Sequence, residues 1–151
     1  MQTLICWSPE QILKFLAHSR CIPNQTRCSG CGLEMVLVGA ADCPDGFKWR
    51  CSSCGGEKGV REGSFFASPL PISKLIYIVY VWSVDYWDPD TKHSFLELEA
   101  RIPRPTTSEW MHRCQEVCLK FHASDGVFRR SCKKEKRSAF EAFLEMVSLQ
   151  Q

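Results

Sequence analysis

The stretch CSGCGLEMVLVGAADCPDGFKWRCSSCGG, from Cys28 to Gly56, decides how the whole chain is read. Four of its cysteines form two Cys-x-x-Cys pairs, each followed at once by glycine, in the spacing C-x2-C-x19-C-x2-C. Two residues between cysteines let one tight turn aim both sulfurs at a single point, and Gly32 and Gly55 supply the backbone freedom needed just past it. Two such turns give the donor set and spacing of a structural zinc site. A disulfide framework and a thioredoxin-like redox motif are the competing readings. The redox motif needs one pair at a helix start, whereas here two pairs sit in turns. A disulfide framework suits a secreted chain, but MQTLICWSPEQILKFLAHSR has no charged segment leading into an apolar one as a signal peptide would. The expected cofactor is therefore one structural zinc ion on Cys28, Cys31, Cys51 and Cys54, its shell closed by four thiolates.

Between the pairs, LEMVLV (33–38) is rich in strand-forming residues, and in GFKWR Phe47 and Trp49 alternate with Lys48 and Arg50, one face apolar and one basic. With VREGSFF (60–66) as a third strand, residues 28–67 read as a zinc ribbon. Cys43 lies in the turn sequence DCPDG and is read as a loop thiol, since a tetrahedron has no place for a fifth ligand.

Helical patterns surround the ribbon. Residues 1–27 carry a helix start, with Ser8 as N-cap, Pro9 at the first helical position and an apolar stripe of Ile12, Leu13, Phe15 and Leu16. LIYIVYVWSV (75–84) is half the ~20 residues that span a bilayer and reads as a buried helix, with Tyr77, Tyr80 and Trp82 in the core. DPDTKH reads as a polar turn and SFLELEARI as a short helix. A second helix restarts past Pro103 and Pro105, with Thr106 and Glu109 in capping-box relation. Residues 68–122 thus outline a helix-turn-helix, and 123–151 a basic linker with a helix over 138–149 that docks on the domain or on a protein partner through Phe140, Phe143, Leu144 and Val147. The fold class expected is α+β. Cys114, Cys118 and His122 share one helical face, and the thiols are read as small core residues rather than a second metal site.

Net charge is only +2, but its distribution is uneven: Arg101 to Arg137 holds ten Lys or Arg against four Asp or Glu. An electrostatic footprint for nucleic acid falls there, joined by Lys48, Arg50, Lys58 and Arg61. In a helix-turn-helix the first turns of the second helix enter the major groove. Thr107, Ser108, Glu109, His112 and Arg113 are then the positions facing bases, and Arg101 and Arg104 those facing phosphates.

The order ILKFLAHSRCIPNQTRCSGCGLEM, GFKWRCSSC, REGSFFASPLPISKLIYIVYVW and TTSEWMHRCQEVC resembles the N-terminal half of Merlin-type DNA transposases and their bacterial insertion-sequence relatives, over about Ile12 to Cys118. The resemblance implies zinc on the four cysteines, a structural Trp49, a strand at Gly63 to Phe66 and a recognition helix around Trp110. Gln115 stands where that family usually has arginine, and SVDYWDPDTKH is a longer connection than usual. Such transposases continue into an RNase H-like domain whose three acidic residues hold two divalent cations. Past Cys118 this sequence has 33 residues, against the roughly hundred or more that such a domain needs. The expectation is a non-catalytic module that binds double-stranded, transposon-end-like DNA, with a zinc-ribbon protein-interaction adaptor as the alternative. The compartment expected is the nucleus in a eukaryotic host, with RRSCKKEKR (129–137) as a candidate import signal, and otherwise the cytoplasm.

Overall fold

A computed structural model describes residues 7–84, 87–124 and 139–149, without the side chains of 121–124. The chain is α+β. Among the described residues it has helices α1 (Pro9–His18), α2 (Ile72–Trp82), α3 (Pro89–Ala100), α4 (Arg104–Ser124) and α5 (Ala139–Ser148), and strands β1 (Val36–Gly39), β2 (Phe47–Arg50) and β3 (Glu57–Gly59). The chain divides into two compact units between Ser73 and Lys74. Cys6, Cys132 and the 129–137 basic run lie outside the described residues.

In the first unit, Ser8 caps α1 as its sequence predicts. The Gln11 N–H donates to the Ser8 hydroxyl at 3.3 Å, and the Ser8 N–H donates to the Gln11 side chain at 2.8 Å, while Pro9 occupies a position whose N–H the helix does not need. Ile12, Leu13 and Leu16 are buried. The three strands form an antiparallel sheet in the order β1-β2-β3. Its β1–β2 register pairs Val36 with Arg50 and Gly39 with Phe47, and β2–β3 pairs Arg50 with Glu57. Between α1 and the sheet runs a groove of about 460 Å³, lined by Leu13, Ala17, Ile22, Leu37, Phe47 and Trp49 among others.

The third strand is not where the sequence and the resemblance place it. VREGSFF forms successive turns, with N–H groups of Glu62, Ser64 and Ala67 bonded to the carbonyls of Gly59, Arg61 and Ser64, and Gly63 at φ 78°. Arg61 is the reason. Its buried guanidinium pairs with buried Asp45 at 2.5 Å and donates to the carbonyls of Phe66 (2.9 Å) and Leu70 (2.8 Å), so the chain winds around it instead of extending. The other Asp45 oxygen accepts the Ile72 N–H at 2.8 Å, satisfying the first N–H of α2.

In the second unit, α2 buries Leu75, Ile76, Ile78, Val79 and Val81. Tyr77, Tyr80 and Trp82, expected in the core, are instead half-buried at its margin, packing edge-on or tilted against Phe95, Phe140 and Phe143 while their aliphatic neighbours on α2 fill the interior. The Lys92 ammonium donates to the Trp82 carbonyl at 2.8 Å, at the α2 C-terminus. The apolar side of α5, including Phe140, Phe143, Leu144 and Val147, is buried within this unit. The polar turn expected at DPDTKH is instead the first turn of α3: the Asp88 carboxylate accepts the Thr91 N–H at 3.0 Å and Pro89 follows it. Arg101 ends α3 in the left-handed region at φ 51°, letting the Ile102 N–H reach back to the Leu96 carbonyl. Helix α4 then starts at Arg104, earlier than the capping box at Thr106 predicts, because Pro105 fits in a first turn that requires no N–H.

Candidate metal centre

Ladder geometry brings the four cysteines together. The Cys28 N–H donates to the Leu33 carbonyl and the Gly32 N–H to the Cys28 carbonyl, both at 2.8 Å; the second pair repeats this, Cys51 N–H to Gly56 carbonyl at 2.8 Å and Gly55 N–H to Cys51 carbonyl at 3.1 Å. The two knuckles are thus built alike, and each tips a two-stranded ladder: one extends the Met35–Thr26 bond, the other the β2–β3 pairing. Because β1 and β2 pair with Val36 opposite Arg50, the residues just before β1 and just after β2 are neighbours, and the knuckles face each other.

The result is a sulfur cage. The Sγ atoms of Cys28, Cys31, Cys51 and Cys54 all lie within 4.8 Å of one another, with Cys28–Cys54 and Cys31–Cys51 at 3.4 Å. Ideal tetrahedral zinc at Zn–S ≈ 2.3 Å separates sulfurs by ~3.8 Å, which these distances bracket. Backbone N–H groups point at every sulfur: Gly30 and Cys31 at Cys28, Leu33 at Cys31, Ser53 and Cys54 at Cys51, and Gly56 at Cys54.

Those donors favour thiolate. Cys51 is pulled down to about 6 by the N–H groups of Cys54 and Ser53, and Cys28 is lowered by those of Gly30 and Cys31. The Leu33 N–H acts the same way on Cys31, but the sulfurs beside it, Cys51 first, push its thiol up to about 12; Cys54 is likewise raised by Cys28 and Cys51 despite the Gly56 N–H. Four sulfurs this close ionise together only around a cation. The donor set, all thiol and closed on itself, fits zinc in a structural role and leaves no position for water.

The cage also needs room. A Cβ on Gly56 would stand 3.2 Å from the Cys28 sulfur, and one on Gly30 3.8 Å from it. Gly32 and Gly55 sit at φ 73° and 72°, where a side chain is strained. A Gly55→Ala variant is expected to lose about 1–2 kcal/mol while still taking up one zinc ion, checked by chemical denaturation at fixed free zinc. Trp49, buried against Cys28, Cys51 and Met35, closes the inner side of the site. Cys43 lies in the loop where Gly46 donates to its carbonyl, outside the cage.

Of the residues predicted to face DNA, Arg104, Ser108 and His112 line up at four-residue intervals on the exposed side of α4, and Arg101 is exposed at the turn before it. Thr107 is fully buried. Its hydroxyl donates to the Arg104 carbonyl at 3.0 Å and so accepts the Nδ1–H of His93 at 2.6 Å, clipping α4 to α3 and withdrawing the side chain from any groove. Burial, then the nearby Arg104 charge, lowers the His93 pKa. Arg113 lies over the Trp110 ring at 4.1 Å. Arg104 pairs with Asp90, and His112 stands 3.5 Å from Glu116. Of the four basic groups expected to join the footprint from the ribbon, Arg61 is buried, Lys48 lies between Asp42 (3.5 Å) and Glu57 (3.0 Å), Lys58 is half-buried and Arg50 is exposed. Sequence reasoning missed Asp45, and periodicity could not have found it. Cys114 is buried, and no metal cluster besides the sulfur cage occurs among the described residues. No family model, curated protein or solved structure matches the chain.

Proposed function

We propose that this zinc-binding chain is a non-catalytic, sequence-preferring DNA-binding module related to Merlin-type transposases. One observation carries the proposal. Helices α3 and α4 are joined by three residues, 101–103, and three of the predicted contact residues, Arg104, Ser108 and His112, form one exposed ridge over the first turns of α4. The His93–Thr107 bond and buried Leu96, Ile102 and Trp110 hold that ridge in place. Arg101 and Arg104 would contact phosphates, Ser108 and His112 base edges, and Arg113 supplies charge from the half-buried side of the helix. In this reading the zinc ribbon stabilises the module and takes no part in chemistry.

Binding of the zinc-loaded chain to random duplex and to Merlin-type transposon-end duplex, followed by fluorescence anisotropy across a salt series, tests the proposal. The expected result is salt-dependent binding with preference for the ends. Replacing Arg101 and Arg104 by alanine should lower the log–log salt slope by roughly one unit per phosphate contact removed. An unchanged slope removes α4 from the interface. A second reading, a protein-interaction adaptor, is favoured by how many basic groups are already engaged: Arg61 with Asp45, Lys48 with Asp42 and Glu57, Arg104 with Asp90. Weak binding with no preference for either duplex would favour it.

A further inference from the structure

The four sulfurs of the cage are not equivalent. Cys28 and Cys51, the first of each knuckle, are 5% and 1% accessible, whereas Cys31 and Cys54, the second of each, are exposed. Each buried sulfur takes two backbone N–H groups and each exposed one takes a single N–H, Leu33 on Cys31 and Gly56 on Cys54. The two contacts at 3.4 Å run across the knuckles, and each joins an exposed sulfur to a buried one, Cys54 to Cys28 and Cys31 to Cys51. A thiolate that an oxidant can reach, with a second cysteine beside it, is the arrangement of a redox-sensitive site.

Glycine placement separates the two pairs. A Cβ on Gly30 would stand 3.8 Å from the Cys28 sulfur and 3.9 Å from that of Cys54, and one on Gly56 would stand 3.2 Å and 3.5 Å from the same two. No glycine among the described residues comes within 4 Å of Cys51 in this way, so the Cys31–Cys51 pair has no such opening over both of its sulfurs. At Gly30 neither space nor backbone demands glycine. A Cβ there would meet both sulfurs at ordinary contact distance, and its φ is not positive. Gly30 is itself exposed, so the approach it leaves free opens to solvent. A small oxidant reaches Cys54 there, while burial shields Cys28.

We propose that Cys54 is a peroxide-reactive modification site and that Cys28, from the opposite knuckle, resolves it to a disulfide. As metal ligands the cysteines are thiolates. The Cys54 thiolate attacks one oxygen of hydrogen peroxide; an S–O bond forms, the O–O bond breaks and hydroxide leaves. The Cys28 thiolate, 3.4 Å away, then attacks the sulfur of the resulting sulfenic acid; the S–S bond forms, the S–O bond breaks and a second hydroxide leaves. The two sulfurs together give up two electrons, and one peroxide is reduced to two hydroxide ions. Cys31 and Cys51 alone remain as thiolates, and two donors no longer make the closed four-thiolate shell of a structural site. Oxidation therefore costs the cage its zinc and makes the stability of the ribbon answer to peroxide. That release rests on the cage holding zinc and is independent of DNA binding.

The zinc-loaded full chain, its metal content measured beforehand, is treated with stepwise equivalents of hydrogen peroxide beside a chromogenic zinc indicator, then alkylated and mapped by tandem mass spectrometry. The expected first product is a Cys28–Cys54 disulfide, formed in step with zinc release and reversed by a dithiol. Gly30→Ala places a methyl against both sulfurs without entering the left-handed region. It should keep the zinc content and circular dichroism of the wild type yet slow the release by about threefold or more, because thiol reaction rates follow access. A chain that is metal-free at the start removes the zinc reading, and its thiol map still decides which cysteines oxidise first. A disulfide within one knuckle, a first bond between Cys31 and Cys51, or oxidation of Cys43 ahead of the cage overturns the proposal. So does zinc release from Gly30→Ala as fast as from wild type.

Discussion

Replacing Cys51 by serine is expected to abolish zinc binding and unfold the ribbon. The size of the effect follows from how little else holds this sheet. Its strands are three or four residues long, and the cluster at its centre is Cys28, Met35, Trp49 and Cys51, so two of four core residues are themselves ligands. Structural zinc sites contribute roughly 10–16 kcal/mol of apparent free energy, whereas a whole domain is commonly stable by about 5–15 kcal/mol. Serine is not ionised near neutral pH and offers zinc a hard, neutral oxygen in place of a thiolate. The variant should lose the dispersed amide signals of Val36–Gly39, Phe47–Arg50 and Glu57–Gly59 in a proton–nitrogen correlation spectrum. A strong chelator added to the wild type should produce the same loss. Dispersed sheet signals in a metal-free chain would contradict the expectation.

The second large effect is expected at Asp45. Asp45→Ala leaves the guanidinium of Arg61, a residue only 5% accessible, without its counter-ion, and removes the acceptor of the Ile72 N–H. Breaking a buried ion pair from one side costs about 3–5 kcal/mol, because an uncompensated charge stays behind. Asp45→Asn keeps an oxygen for Ile72 and should be milder. Denaturation at fixed free zinc compares the two, since ligand concentration itself shifts the apparent stability. A cost below about 1 kcal/mol for Asp45→Ala would mean that water, not burial, surrounds the pair.

How much of this was legible in the sequence depends on the range of the cause. The cysteine knuckles were legible because their geometry is local: two intervening residues and a following glycine fix where each pair of sulfurs points. The α1 cap and the burial of α2 were legible for the same reason, one a four-residue signature and the other a continuous apolar run. The strand expected at VREGSFF was not, because SFF has strand-forming residues and the decisive contact, Arg61 on Asp45, joins residues with no periodic relation. Thr107 shows the same limit at the proposed interface. Its position in α4 suggested a groove-facing side chain, but His93, fourteen residues earlier, turns it inward. At DPDTKH the ambiguity is local: proline and aspartate suit a turn and a helix N-terminus equally.

The ribbon is expected to hold one zinc ion on its four cysteines and to depend on that ion for its fold. Native mass spectrometry of the full chain tests it most directly, with wild type and Cys51→Ser recorded side by side. One zinc ion is expected on the wild type, none on the variant, and the low, narrow charge states of a folded ribbon only in the first. A wild type that carries no metal yet keeps those charge states, or a variant that binds zinc as the wild type does, would contradict it.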